Sequence, residues 1–120
     1  MSKPDIKFWV HRDGLTGKFY ATTNYSLALS DDINAAHVYR TLKGAKNQIK
    51  GRVEMYKYNL KMMEKWKNSH DRDTYFKDYW EDTKREGEEA QDRLKDPSGV
   101  AYIEIFEVTS IVTLKKVSYK

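Results

Sequence analysis

Residues 41–96, TLKGAKNQIKGRVEMYKYNLKMMEKWKNSHDRDTYFKDYWEDTKREGEEAQDRLKD, decide the fold of this chain. Leu42, Ala45, Ile49, Val53, Tyr56, Leu60 and Met63 recur at spacings of three and four, and Phe76, Trp80, Thr83, Gly87, Ala90 and Leu94 do the same. Each row is the apolar stripe of an amphipathic helix. Asn68, Ser69, His70 and Asp71 lie between them, a polar segment rich in cap formers with room only to reverse the chain. The spacing predicts helices over about 42–67 and 71–95, each roughly 25 residues or about 37 Å long at the helical rise. Arms so nearly equal predict a long antiparallel two-helix hairpin.

Strands flank the hairpin on both sides. Ile6, Phe8 and Val10 alternate with Lys7, Trp9 and His11, the period-two pattern of a half-buried strand. Asp13, Gly14, Leu15, Thr16 and Gly17 make a hairpin connection, and residues 18–23 return as a second strand. Residues 25–29 add a short strand or an irregular crossing. Ser30, Asp31 and Asp32 open a short helix through Ala36, because their side chains accept from free backbone N–H groups. Val38, Tyr39 and Arg40 form a brief extended segment, and Thr41 is the N-cap of the first long helix. Beyond the breaker cluster Asp96-Pro97-Ser98-Gly99, residues 100–108 are apolar on both faces, which predicts an interior strand. Thr109 and Ser110 turn it, and residues 111–117 make the last strand.

The pattern predicts an α+β fold, a small antiparallel β-sheet from the N- and C-terminal strands with the helical hairpin between them. At 120 residues it is expected to be one domain, with sheet core at 5–40 and 100–118 and hairpin at 41–96. The first part of helix one should pack on the sheet, and the distal hairpin should project beyond it.

Composition narrows the function classes. With no cysteine, disulfides and thiolate metal sites are excluded. No apolar leader opens the chain and no run reaches membrane-spanning length, so a soluble cytoplasmic protein with no membrane partner is expected. The net charge of +4 is uneven: residues 1–70 carry 13 Lys/Arg against 6 Asp/Glu, whereas residues 71–96 carry 6 against 10. A basic half joined to an acidic helix suits self-pairing or an oriented protein partner as well as nucleic acid.

A resemblance lies in the first part of the chain. Lys7-Phe8-Trp9-Val10, Gly17-Lys18-Phe19-Tyr20, the run from Asp31 to Tyr39 (DDINAAHVY) and Lys43-Gly44-Ala45-Lys46 are its residues. This succession, a strand, a Gly-Lys-aromatic hairpin, an Asp-led step ending in Tyr and a Lys-Gly-Ala-Lys helix start, is similar to small tailed-phage accessory proteins of the host-takeover and anti-defence type. The likeness covers residues 7–51. It implies a phage accessory product that binds a host protein, such as a defence-system component, and inhibits or redirects it in the host cytoplasm.

Catalytic chemistry is not legible. His11, His37 and His70 fall at no motif spacing, and His70 beside Asp71 and Asp73 reads as a solvated turn rather than a metal site. Gly14-Leu15-Thr16-Gly17-Lys18 echoes a phosphate-binding loop, but the glycines are too close and no Ser or Thr follows the lysine. Glu86, Glu88, Glu89 and Asp92 interleave with Lys84, Arg85 and Arg93 as a salt-laced solvent face. No enzyme activity, cofactor or metal is expected.

Two surfaces carry binding hypotheses. Met55, Tyr58, Met62 and Trp66 form a second apolar stripe, nearly opposite Tyr56, Leu60 and Met63, and Tyr75, Phe76, Tyr79 and Trp80 add aromatics at the same end of the hairpin. Exposed aromatic and methionine surface marks association sites. The expected partner-binding set is Met55, Tyr58, Met62, Trp66, Tyr75, Tyr79 and Trp80, for a host protein, a homodimer or higher oligomer, or both. The opposing reading folds the helices onto the sheet and buries both stripes. Lys43, Lys46, Lys50, Lys57 and Lys61 lie on one flank of helix one, within about 60° of each other, and supply the alternative, a nucleic-acid-binding surface.

Overall fold

The computed structural model describes residues 7–21, 27–68, 77–110 and 113–119. The expectations resting on Ile6, on residues 22–26, on residues 69–76 (the end of the 68–71 turn and the start of the second helix, with Tyr75 and Phe76) and on residues 111–112 lie outside the described residues. In chain order the elements are β1 (Phe8–Asp13), β2 (Phe19–Tyr20), β3 (Leu29–Ser30), a short 3-10 helix (Ile33–Ala35), α1 (Leu42–Lys67), α2 (Lys77–Arg93), β4 (Ile103–Ser110) and β5 (Thr113–Val117). The strands form one antiparallel sheet in the order β3-β2-β1-β4-β5. N- and C-terminal strands thus meet in a single sheet with a two-helix hairpin between them in sequence, an α+β fold. The chain divides into two compact units, Met1–Arg52 with Tyr102–Lys120, and Val53–Ala101, the division falling within α1.

In the first unit the β1–β4 register places Phe8 opposite Val108 and Val10 opposite Phe106 on one face, and His11 opposite Ile105 and Asp13 opposite Ile103 on the other. On the first face Val10, Phe19, Ala36 and Val108 are buried together, with Phe8, Ile33 and Phe106 against them. The opposite face takes the start of α1, through Ala45 and Arg52. Both faces of β1 are therefore covered. The half-buried strand expected here, with His11 on its wet side, is corrected: His11 and Asp13 are as inaccessible as Val10. β4 is the interior strand that its two apolar faces predicted.

Local chemistry explains the connections. The Asp13 carboxylate accepts from Leu15 N, Thr16 N and Thr16 Oγ1, and Gly17 adopts φ 75°, a left-handed conformation that glycine enters without cost. The Gly14–Lys18 segment is thus a carboxylate-capped hairpin turn. Asp32 caps the 3-10 helix by accepting from Asn34 N at 2.9 Å, and Thr41 caps α1 by accepting from Gly44 N at 3.0 Å. Tyr39 exchanges two backbone hydrogen bonds with Trp9, at 2.9 and 2.8 Å, tying the segment before α1 to β1.

β4 is displaced from its expected span. Residues 100–102 are not strand, because Ala101 (φ 53°) and Tyr102 (φ 58°) are both left-handed and cannot continue a ladder. At the other end, Ser110 still pairs with Thr113 past an irregularity, so residues 109–110 extend the strand instead of turning it.

In the second unit, α2 turns Gly87 and Ala90 inward, with Trp80, Thr83 and Leu94 half-buried, the stripe read from the sequence. A methyl group at Gly87 would stand 2.7 Å from Met63 Sδ and 2.9 Å from Met63 Cγ, so the two helices meet where only glycine fits. Helix α2 stops at Arg93 rather than 95. Asp96 accepts from Ser98 N and Oγ, and Pro97 has no N–H to donate, so the chain leaves the helix there.

Candidate binding surfaces

The second unit holds the described part of the aromatic set. Tyr58 is 56% exposed and Tyr79 71% exposed, the two highest values among the large hydrophobic residues described. Met55, Met62, Trp66 and Trp80 are half-buried, and Tyr75 lies outside the described residues. Tyr56, on the helix's inner stripe, is buried, and the Arg93 guanidinium lies 5.5 Å from its ring centroid. The periodicity of α1 accounts for this split: Tyr56 shares the row of Val53 and Met63, whereas Tyr58 sits well round the helix from it. Lys65 Nζ lies 5.6 Å from the Trp66 ring centroid, within cation–π range.

The polar face of α2 is partly as expected. Arg85 pairs with Asp82 at 3.4 Å, Lys84 with Glu88 at 4.0 Å and Lys95 with Asp92 at 3.6 Å, all on exposed side chains. Arg93 is the correction. It is buried, its Nη1 donates to the Glu89 carbonyl at 3.0 Å, and its stem and guanidinium cover Tyr56 instead of facing solvent.

Of the lysine flank, Lys43 and Lys50 are exposed and Lys46 half-buried in the first unit, while Lys57 and Lys61 are exposed in the second. Lys57 pairs with Glu54 at 3.3 Å. Among the described residues no carboxylate stands within ion-pair distance of Lys43, Lys46, Lys50 or Lys61. On the sheet, Arg12 donates to Glu104 at 3.2 Å and Lys7 pairs with Glu107 at 3.6 Å. Glu104 also holds Lys116 at 2.9 Å, so that part of the sheet carries its own counter-charges.

Sequence reasoning missed one constellation altogether. His11 lies at the centre of a buried polar cluster on the α1 side of the sheet. Its Nε2 donates to the Ala45 carbonyl at 2.6 Å, and its Nδ1 accepts from Arg52 Nε at 2.9 Å. Arg52 Nη2 donates to the Tyr39 hydroxyl at 3.3 Å, and its guanidinium stacks over Tyr20 at 4.5 Å. Burial, with the Arg52 charge adding to it, lowers the His11 pKa from 6.5 to about 3 even though the Ala45 carbonyl bond opposes the shift. The imidazole is therefore neutral at pH 7. The signal was present: Arg52 falls on the buried stripe of α1 beside Ile49 and Val53, where an unpaired cation is not tolerated.

Among the described residues no group of three or more His, Asp or Glu is placed to hold a metal ion. No described helix is long and apolar enough to cross a membrane. No family model matches the chain, and neither a curated protein nor a solved structure matches it.

Proposed function

We propose that this chain is a non-enzymatic binding protein of the phage accessory type, which captures a host protein through the α1–α2 hairpin and inhibits or redirects it, with self-association as a companion activity. The observation that carries this reading is the exposure of Tyr58 and Tyr79, 56% and 71%, in the same unit as half-buried Met55, Met62, Trp66 and Trp80. Aromatic side chains with an apolar body and a polar tip are the commonest anchors of protein interfaces, because they bury a large area at small entropic cost. The resemblance of residues 7–51 to phage accessory proteins supports a host protein as the target and the host cytoplasm as the place.

Affinity capture from host lysate, with and without nuclease, tests this alongside a mass measurement of the purified protein. The wild-type chain should retain a protein partner after nuclease treatment. Tyr58→Ala and Tyr79→Ala, folded by circular dichroism, should lose it or weaken self-association at least tenfold. Unchanged capture and unchanged mass in both variants would exclude the hairpin surface.

The second reading is a nucleic-acid binder, favoured by Lys43, Lys46, Lys50 and Lys61 of the flank, which have no carboxylate within ion-pair distance among the described residues. It requires an affinity that falls steeply with salt and with charge reversal at Lys46 and Lys50. Absence of retention on DNA and RNA at low salt removes it.

A further inference from the structure

The His11–Arg52 pair has no part in the proposed binding surface, and its chemistry points to a separate property. His11 is fully buried, and both ring nitrogens are committed. Arg52 carries its proton at any ordinary pH, so Nδ1 can only accept from it, and Nε2 must therefore donate to Ala45. A single neutral tautomer satisfies both bonds. The groups facing the ring are Arg52 from α1, Tyr20 from β2 edge-on at 6.5 Å, and Tyr39 from the segment before α1, tilted against it at 4.6 Å. His37 stands behind Tyr39, 4.7 Å from its ring. Asp13, two residues along β1 on the same face, has its carboxylate bonded to Leu15 N, Thr16 N and Thr16 Oγ1.

We propose that the His11–Arg52 pair is an acid-released clamp that holds the first part of α1, residues 42–52, on the β1–β2 face of the first unit. A proton taken from solvent onto Nδ1 makes that nitrogen a donor facing the Arg52 Nε–H. The hydrogen bond between them breaks, and two cations then oppose each other out of reach of water. Solvent relieves the charged ring, and α1 is the element that must lift to admit it. Because the open form binds the proton at an ordinary histidine affinity and the closed form hardly at all, the opening constant rises about tenfold for each pH unit below roughly 6.5.

Amide hydrogen exchange on the full chain, read as protection factors from pH 7.5 to 4.5, tests the clamp. Amides of residues 45–52 should lose about a hundredfold in protection between pH 7.5 and 4.5, while those of residues 83–92 in α2 keep theirs. In His11→Gln, which retains a donor and an acceptor but no titrating proton, the loss should disappear. If that variant does not fold, the wild-type protein still decides. Its His11 ring resonances should stay those of the neutral Nε2–H tautomer for as long as residues 45–52 remain protected. An unchanged acid response in His11→Gln, a loss of protection spread evenly over both units, or a His11 ring that titrates near 6.5 with α1 still protected would each overturn the proposal.

Discussion

The two units differ in the weight they place on buried polar groups and on close helix contact. The first is fastened by buried polar groups: the Arg52 guanidinium reaches His11, Tyr39 and Tyr20 at once, and Asp13 closes its hairpin from a position with no solvent exposure. In the second, two helices meet where Gly87 leaves room for Met63, beside Ala90 and Tyr56, with the Arg93 guanidinium over the Tyr56 ring. Polar fastening is directional and fails when one partner is lost or changes protonation, because the remaining group is left buried without a bond. Close apolar contact is blind to pH and fails on volume.

This contrast can be broken experimentally. Arg52→Ala should have the largest effect, about 3 kcal/mol lost in chemical denaturation, since it orphans His11 Nδ1 and removes the cation stacked over Tyr20. Acid should follow. The folded-state His11 pKa of about 3 lies below the unfolded 6.5, so the unfolded chain binds more protons in that window. Stability is therefore complete above 6.5 and declines as pH falls, by about 2 kcal/mol between pH 6.5 and pH 5. Thermal melts of the wild-type protein and His11→Gln across that interval check the sign. Gly87→Ala should cost about 1–2 kcal/mol through overpacking against Met63 and show no pH dependence of its own. If Gly87→Ala is neutral, the close approach of the helices is wrong.

Smaller effects sharpen the comparison. Gly51 is exposed on α1, and the nearest atom to an added methyl is the Gln48 side-chain oxygen at 3.9 Å. Gly51→Ala should therefore stabilise the chain by up to about 1 kcal/mol, the helix-propensity difference, with the opposite sign from Gly87→Ala. Tyr58→Ala should change the melting free energy by less than about 0.5 kcal/mol, as expected of an exposed position, while reducing partner capture.

The helices and the sheet were legible because their signals are local. The α1 stripe, its Thr41 cap and the Asp32 cap of the 3-10 helix each follow from a few neighbouring residues. Alternation places His11 on the wet face of a half-buried strand, because its meaning depends on Arg52, 41 residues away, and alternation alone cannot distinguish a polar residue facing water from one facing a buried partner. The pattern extends the strand over residues 101 and 102 for a related reason, since Ala and Tyr give no sign of a left-handed backbone. In the candidate surface, the wheel separated Tyr58 from Tyr56 correctly. It could not say that Met55, Met62 and Trp66 would end half-buried, because side-chain packing, not angle, sets that.

Strand β5 lies at the margin of the sheet with Thr113, Leu114, Lys115 and Lys116 all exposed. The edge strand of a sheet is a template onto which another strand can be laid. Two copies adding there in antiparallel register about Lys115 would set the two Lys115 ammonium groups face to face and bring Lys116 of each against Leu114 of the other. Charge at Lys115 would oppose such edge-to-edge growth, and neutralising it should make the protein more prone to fibrous aggregation without altering its fold.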